Sequence, residues 1–411
     1  MLKLSLLVIG FFYFLQIDYW KEIFQSYQGS PLPKIESYMI SPFLNPNFIS
    51  NEDGDLIAYG TNWKRSVLKD RGKAWSDIED LIKQDSLSNW VNSVLRLKDG
   101  SIGLVAEYSN WKNEDYDKNH KIHYLYYYRS NDGIFFKNPV KINSGTSQGI
   151  PYFSTLIQTK SGRLIIPVRK FNEGFSDSSK SLIFPYGKIN GEEYTIETHA
   201  HKPELDASFV YYSDDNGESW SRSKNEIFIW KDDGLGGMWP FDEPNIVETI
   251  DNNFQVYGRT SLGRIFKSHS KNCVTWTIPI PTNLSTSYSP FRIEKIPSSN
   301  DLICIWNNVT TKEVKRGFRR GRLSVAISSD EGETWDNVKT IATMGLPVIN
   351  RAVTNEIKMT RADKYINNLS ENAQNFIHYP NLGFFKDSLV ISFSDKNTGY
   401  LIFEPVTWLY Q

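Results

Sequence analysis

Four stretches of the chain close in nearly the same turn. They are Asp70-Arg71-Gly72-Lys73-Ala74-Trp75, Ser213-Asp214-Asp215-Asn216-Gly217-Glu218-Ser219-Trp220, the degenerate Ser270-Lys271-Asn272-Cys273-Val274-Thr275-Trp276, and Ser328-Ser329-Asp330-Glu331-Gly332-Glu333-Thr334-Trp335. Ser130-Asn131-Asp132-Gly133-Ile134-Phe135-Phe136 is a weaker fifth copy. A turn repeated in this way implies a repeated supersecondary unit, and that fixes the architecture. In each copy the aspartate can accept backbone N–H bonds within the turn. The glycine supplies a backbone angle other residues avoid, and the tryptophan packs the loop onto the strands beneath it. Asp70, Asp215 and Asp330 are therefore read as scaffold, not as catalysts.

A second signal alternates with the first. Tight-turn residues followed by an apolar run occur at Asp53-Gly54 before Asp55–Tyr59, at Asp99-Gly100 before Ser101–Val105, and at Ser161-Gly162 before Arg163–Val168. Weaker versions open the runs at Asn253–Tyr257, Asp301–Trp306 and Ser388–Phe393. Turn residues before alternating apolar positions mark hairpins, six in all. A hairpin followed by a strand that ends in the repeated turn makes a four-stranded antiparallel sheet. Six such sheets fit 411 residues, so the expected fold is all-β, a six-bladed antiparallel β-propeller over residues 35–411. An aromatic content of 14% supports β structure. Two segments stand apart. Trp75–Asn89, with Ile78, Leu81 and Ile82, reads as a short helix, and Val353–Asn375 reads as a helical or irregular insertion.

The 46 basic and 47 acidic residues leave a net charge of −1. No global field would draw the protein to nucleic acid. One local cluster, Lys315, Arg316, Arg319, Arg320 and Arg322, breaks this balance. Cys273 and Cys304 have no metal-ligand spacing and read as ordinary thiols. Near the start, Lys3 precedes the apolar run Leu4–Leu15, which Asp18 ends. That length suits a signal-peptide core or a short anchor within residues 1–20. The expected location is secreted, periplasmic or held at a membrane by this segment. A propeller closes on itself, so a free monomer is the default.

The turn Ser-x-Asp-x-Gly-x-Thr-Trp resembles the Asp-box, or BNR repeat, of the sialidase superfamily. Further segments are similar to that family over roughly residues 140–410. Gly149-Ile150-Pro151 with Ser161–Val168 resembles its third blade. Asp242-Glu243-Pro244-Asn245, followed by Tyr257-Gly258-Arg259-Thr260, resembles its Glu-then-Arg segment. Arg320-Gly321-Arg322 before Ser328 resembles its third-arginine segment, and His378-Tyr379-Pro380-Asn381 its tyrosine strand.

The resemblance implies a retaining glycosidase that needs no metal or organic cofactor. Its substrate would be a glycan ending in an acidic sugar, with sialic acid the family's own. Because that sugar carries a carboxylate on its anomeric carbon, a neutral tyrosine is the suitable nucleophile, with a glutamate to take its proton. Planar guanidiniums match the substrate carboxylate bidentately. By position, Tyr379 would be the nucleophile, Glu243 its base, and Arg259 and Arg320 two arms of the clamp. Arg322 competes with Arg320, since strand alternation puts both on one face, and only the spacing to Ser328 favours Arg320.

The chain departs from the family pattern at its opening strand. Phe43-Leu44-Asn45-Pro46 stands where the family has an arginine, and Leu44 occupies that position. Arg65 and Arg169 are the substitutes to consider. The acid that protonates the leaving group is unassigned: the repeated turn claims Asp70, and Asp242 adjoins Glu243 and should point the other way. Two other readings stay open. One is a glycan- or protein-binding propeller without catalysis, and the other a hydrolase or lyase for another acidic sugar.

Overall fold

The computed structural model describes residues 38–51, 54–68, 74–83, 88, 90–109, 123–143, 149–171, 188–189, 192–193, 206–231, 237–260, 262–310, 313, 318–353, 377–395 and 397–411. Six antiparallel sheets dominate it. Blade 1 runs through Asn47–Ser50, Leu56–Gly60, Lys64–Leu68 and Glu79–Asp80. Blade 2 runs through Trp90–Arg96, Ile102–Ser109, His123–Ser130 and Phe135–Lys141. In blade 3 the first strand is broken into Ile150–Pro151 and Ile157–Gln158, both paired with Leu164–Phe171; Asp206–Ser213 and Ser221–Arg222 follow. Blade 4 is Asp242–Glu248, Phe254–Arg259, Arg264–Ser270 and Ile280–Ser285. Blade 5 is Arg292–Lys295, Leu302–Asn307, Arg322–Ser328 and Asp336–Thr343. Blade 6 takes His378–Phe385, Ser388–Ser394 and Gly399–Pro405 from the end of the chain and Met39–Ile40 from its start, so one sheet joins both ends of the propeller.

All six expected hairpins join the first and second strands of a blade. Each places one residue in the left-handed backbone region: Gly54, Gly100, Gly162, Asn252, Asn300 and Lys386 have φ between +53° and +97°. Glycine adopts this conformation freely and asparagine tolerates it. That is why Asp-Gly and Asn-containing pairs marked these turns so clearly.

Along each central strand, successive side chains face opposite sides, and both sides are apolar. Leu164, Ile166 and Val168 pack with Val105 and Leu125 of blade 2, while Ile165 packs with Ile246 and Val256 of blade 4. The same alternation gives six hydrophobic clusters, one at each interface between neighbouring blades. Leu56 and Leu68 against Phe385, Val390 and Leu401 close the ring between blades 1 and 6.

The repeated turns join the third and fourth strands of blades 2 to 5. In each, the leading serine accepts an N–H bond from three or four residues on: Gly133, Gly217, Cys273 and Gly332 donate at 2.8–2.9 Å. The Asp330 carboxylate accepts from the N–H groups of Glu333 and Thr334, and Asp215 from Ser219. In the degenerate copy Asn272 does the same work and Cys273 takes the left-handed backbone at φ +63°. Both cysteines are buried free thiols. The first copy, at Asp70, and most of the Val353–Asn375 insertion lie outside the described residues, as does the N-terminal segment 1–20. Among the described residues no helix is long and apolar enough to cross a membrane.

Among the described residues of Trp75–Asn89 the expected helix is not formed. Glu79–Asp80 pairs with Lys64–Arg65 as the outer strand of blade 1, and Ile82–Lys83 lies parallel to Phe135–Phe136 of blade 2. Of the three apolar residues that suggested a helix, only Leu81 is buried, while Ile78 and Ile82 are exposed. Their spacing marks a strand edge between two blades.

Candidate active site

Two innermost strands open in the same unusual way. In blade 4 the pairing register slips between Asp242 and Asn245, and in blade 6 between His378 and Asn381. The extra residues are Glu243-Pro244 and Tyr379-Pro380. Glu243 has φ +42° and Tyr379 φ +45°. Such a backbone is costly for a residue with a side chain, by about 1–3 kcal/mol, and a following proline favours extended conformations instead. Bulges of this kind re-aim a side chain away from the regular pleat. Here they act on the two residues named as base and nucleophile.

Glu243 is buried, and its Oε2 accepts a hydrogen bond from Arg259 Nη1 at 2.6 Å. Arg259 closes the second strand of blade 4, directly across from Asp242. Its Nη2 donates to the Tyr288 carbonyl at 3.1 Å, and its guanidinium lies 3.8 Å above the Tyr288 ring. Burial works against the charge of Arg259, but Glu243 beside it, with Tyr288 and Asp242, holds its pKa above the usual arginine range.

Asp242 is fully buried. Its carboxylate accepts from Arg169 Nη1 at 3.0 Å, from the Tyr288 hydroxyl at 2.6 Å and from the Glu243 N–H at 2.7 Å. It is the fixed post that shapes the Glu243 bulge.

The Tyr379 ring is enclosed by aromatic neighbours. Phe153 meets it edge-on at 5.8 Å, Tyr152 lies tilted at 6.1 Å, and His378 stacks on it at 5.9 Å and 23°. Tyr152 and Phe153 belong to the break in the first strand of blade 3, which frees their rings to reach the axis. The Glu243 carboxylate, followed by burial, raises the Tyr379 pKa, while Arg320, Arg259 and Arg169 oppose this. The phenol is thus neutral at rest, with a carboxylate as its foremost electrostatic neighbour.

Arg320 sits in the turn before the third strand of blade 5, at the end opposite Ser328 and the repeated turn. Its Nη1 contacts His378 Nδ1. Burial, then Arg259 and Arg319, push the Arg320 guanidinium down to about 9. Arg319 is lowered likewise by burial and Arg259. Three guanidiniums therefore share one neighbourhood. Arg322 is resolved from Arg320 by the turn, which breaks the alternation expected between them. Arg322 is fully buried, bonds Glu313 and the carbonyls of Pro347 and Asn308, and is structural.

Leu44 lies exposed in the bend before Asn47–Ser50, so its position brings no guanidinium to the axis. Arg65, one possible substitute, pairs with Glu79 and the Gly133 carbonyl between blades 1 and 2. Arg169, the other, stands at the site through Asp242. Sequence reasoning did not assign Arg319, Tyr288, Tyr152 or Phe153 to this region. Only Arg319 left a signal, as a member of the basic cluster around Arg320.

The fold defines the class: a six-bladed propeller of the sialidase type. The BNR repeat-like domain family matches residues 61–391, and the chain belongs to that family. Among solved structures, a protein of unknown function from Dyadobacter fermentans superposes with a TM-score of 0.55 at 14% identity, covering 92% of this chain and 100% of that one. The leech intramolecular trans-sialidase complexed with 2,7-anhydro-Neu5Ac gives 0.52 at 13%, covering 91% and 69%. Trypanosoma rangeli sialidase in complex with 2,3-difluorosialic acid gives 0.51 at 13%; 92% of this chain is covered, but only 55% of that chain. At such identities the likeness is one of fold. No curated protein sequence matches the chain.

Proposed function

We propose that this protein is a sialidase-like glycoside hydrolase that removes a terminal acidic sugar, sialic acid first among candidates, from a glycan with retention of configuration. One observation carries the reading: Glu243 and Tyr379, from blades 4 and 6, are turned by matching strained bulges towards one neighbourhood that also holds Arg259 and Arg320. Strain at paired positions is retained where the surroundings enforce it, and such positions concentrate at functional sites.

In this reading the substrate carboxylate docks on Arg320 and Arg259, with Arg319 adding positive potential. Tyr379 Oη then attacks the anomeric carbon as its proton passes to Glu243, and the bond to the leaving oxygen breaks while that oxygen takes a proton from solvent. Because Glu243 raises the phenol pKa, a free phenolate is not the resting species, and proton transfer accompanies attack. A water later attacks the glycosyl–tyrosine, its proton goes to solvent through a base, and Glu243 returns a proton to the phenolate. Arg259 Nη1, donating to Glu243 Oε2 at 2.6 Å, fixes the carboxylate that accepts the phenol proton.

The test is hydrolysis of an aryl α-sialoside. Tyr379→Phe should lower kcat by roughly 10³-fold or more, the scale seen when a covalent nucleophile is removed. A fluorinated sialic acid derivative should leave its mass on the peptide containing Tyr379. Full activity in Tyr379→Phe would sink the mechanism.

A further inference from the structure

His378 stands between the two functional parts of the site. It precedes Tyr379 in the same bulge, so its ring and the phenol lie side by side at 5.9 Å and 23°. On its other side Nδ1 meets Nη1 of Arg320, which arrives from blade 5. We propose that His378 is a positioning residue that seats the Arg320 guanidinium through Nδ1 while its ring backs the phenol of Tyr379, so that one side chain sets the spacing between the anion-binding arm and the nucleophile. This deepens the glycosidase reading and rests on it.

The choice of histidine follows from the charges around it. Arg259, Arg169 and Arg322 are each held by a carboxylate: Glu243, Asp242 and Glu313. A carboxylate at position 378 would hold Arg320 as well, but it would compete with an incoming substrate carboxylate for the same donors. It would also add a negative charge against the Tyr379 ring. A neutral imidazole orients the guanidinium without setting a second negative charge beside it. With Nδ1 accepting, the ring proton sits on Nε2. Burial, then Arg320, Arg319 and Arg259, push His378 down to about 3, which keeps the Nδ1 lone pair available at any ordinary pH.

Two substitutions separate the two contacts. His378→Phe keeps a stacking ring and removes the acceptor. His378→Asn keeps an acceptor close to the Nδ1 position and removes the ring. On an aryl α-sialoside, His378→Phe should raise KM about tenfold with kcat within about threefold, since a mispositioned arm weakens ground-state and transition-state binding alike. His378→Asn should hold KM near the wild-type value and lower kcat about tenfold, since a nucleophile out of line loses rate at the chemical step. An unchanged KM in His378→Phe, or the same change in both variants, overturns the proposal. If the wild-type protein hydrolyses no sialoside, the glycosidase reading falls by itself. Crystal structures of the two variants then decide the positioning role. Arg320 displaced in His378→Phe and retained in His378→Asn supports it, and an unmoved guanidinium in His378→Phe overturns it.

Discussion

At Arg320 the cost and the use of a charge coincide. Its guanidinium is buried beside Arg259 and Arg319, and burial with these two neighbours disfavours the charged form. A folded-state pKa lowered in this way means that the charge destabilises the fold at neutral pH. Replacing buried charges with apolar groups of similar volume is often neutral or stabilising. Arg320→Met should therefore raise the stability of the ligand-free protein, by about 1 kcal/mol after the lost contact to His378 is counted. The same variant should bind a carboxylated sugar at least thirtyfold more weakly, equivalent to about 2 kcal/mol. Thermal unfolding with and without sialic acid reads both: the melting temperature of Arg320→Met should start higher and move less with ligand. A variant that is both less stable and equally responsive would show that Arg320 is structural, as Arg322 is.

Between residues and the whole, the repeated turn serves as a staple between blades. A methyl group at Gly332 of blade 5 would lie 2.2 Å from the Tyr257 hydroxyl of blade 4, and one at Gly217 of blade 3 would lie 2.1 Å from the Tyr127 ring of blade 2. Gly133 of blade 2 meets Tyr59 of blade 1 in the same manner, and the Tyr59 hydroxyl donates to the Gly133 carbonyl at 3.0 Å. The glycine is needed twice, once for its φ of +80° at Gly332 or +93° at Gly217 and once for the space a tyrosine fills. Gly332→Ala and Gly217→Ala should each cost about 2–4 kcal/mol, from backbone strain and overpacking together. Urea unfolding measures this. A cost below about 1 kcal/mol would mean that the tyrosine rings move aside freely.

This element scale is also where the sequence was most legible. Left-handed turns favour glycine or asparagine, so most of the hairpins and repeated turns leave a mark at fixed positions. The site was legible only through ordered segments: Glu243, Arg259, Arg320 and Tyr379 could be named, but their bulges could not. In Glu243-Pro244 and Tyr379-Pro380 the proline biases the preceding residue towards extended backbone; at Glu243 the N–H bond to the Asp242 carboxylate, itself pinned by Arg169 and Tyr288, holds the chain otherwise. Periodicity failed where a turn intervened, as between Arg320 and Arg322. It failed again where Ile78, Leu81 and Ile82 mimicked helical spacing at a strand edge. Aromatic neighbours such as Tyr152 and Phe153 come together only because a strand of blade 3 is broken.

At the scale of the molecule, the site depends on ring closure. Glu243 and Tyr379 sit on blades 4 and 6, and the contact between blades 6 and 1 keeps the sixth blade in register with the rest. The strand that blade 6 takes from residues 39–40 is a short one. Met39 and Ile40 pair with Leu401 and Tyr400, Ser41 N–H donates to the Gly399 carbonyl at 2.8 Å, and the Tyr38 ring meets Tyr400 edge-on at 5.2 Å. Without this strand, Gly399–Pro405 becomes an open sheet edge, a template for pairing with other chains. A chain starting at residue 42 should be less stable than one starting at residue 38 by roughly 2–3 kcal/mol, at about 1 kcal/mol per lost ladder bond. It should also associate at concentrations where the longer chain does not. The loss should reach the site as well as the fold. Asn381, two residues past Tyr379, donates to the Pro46 carbonyl at 2.8 Å and to Ser154 Oγ at 2.6 Å, tying blade 6 to blades 1 and 3 just beside Tyr379. If closure positions Tyr379, the shorter chain should lose kcat on an aryl sialoside at temperatures well below its own melting point. If its kcat stays unchanged until it unfolds, the axial contacts of Asn381 suffice, and the outer strand contributes to stability alone.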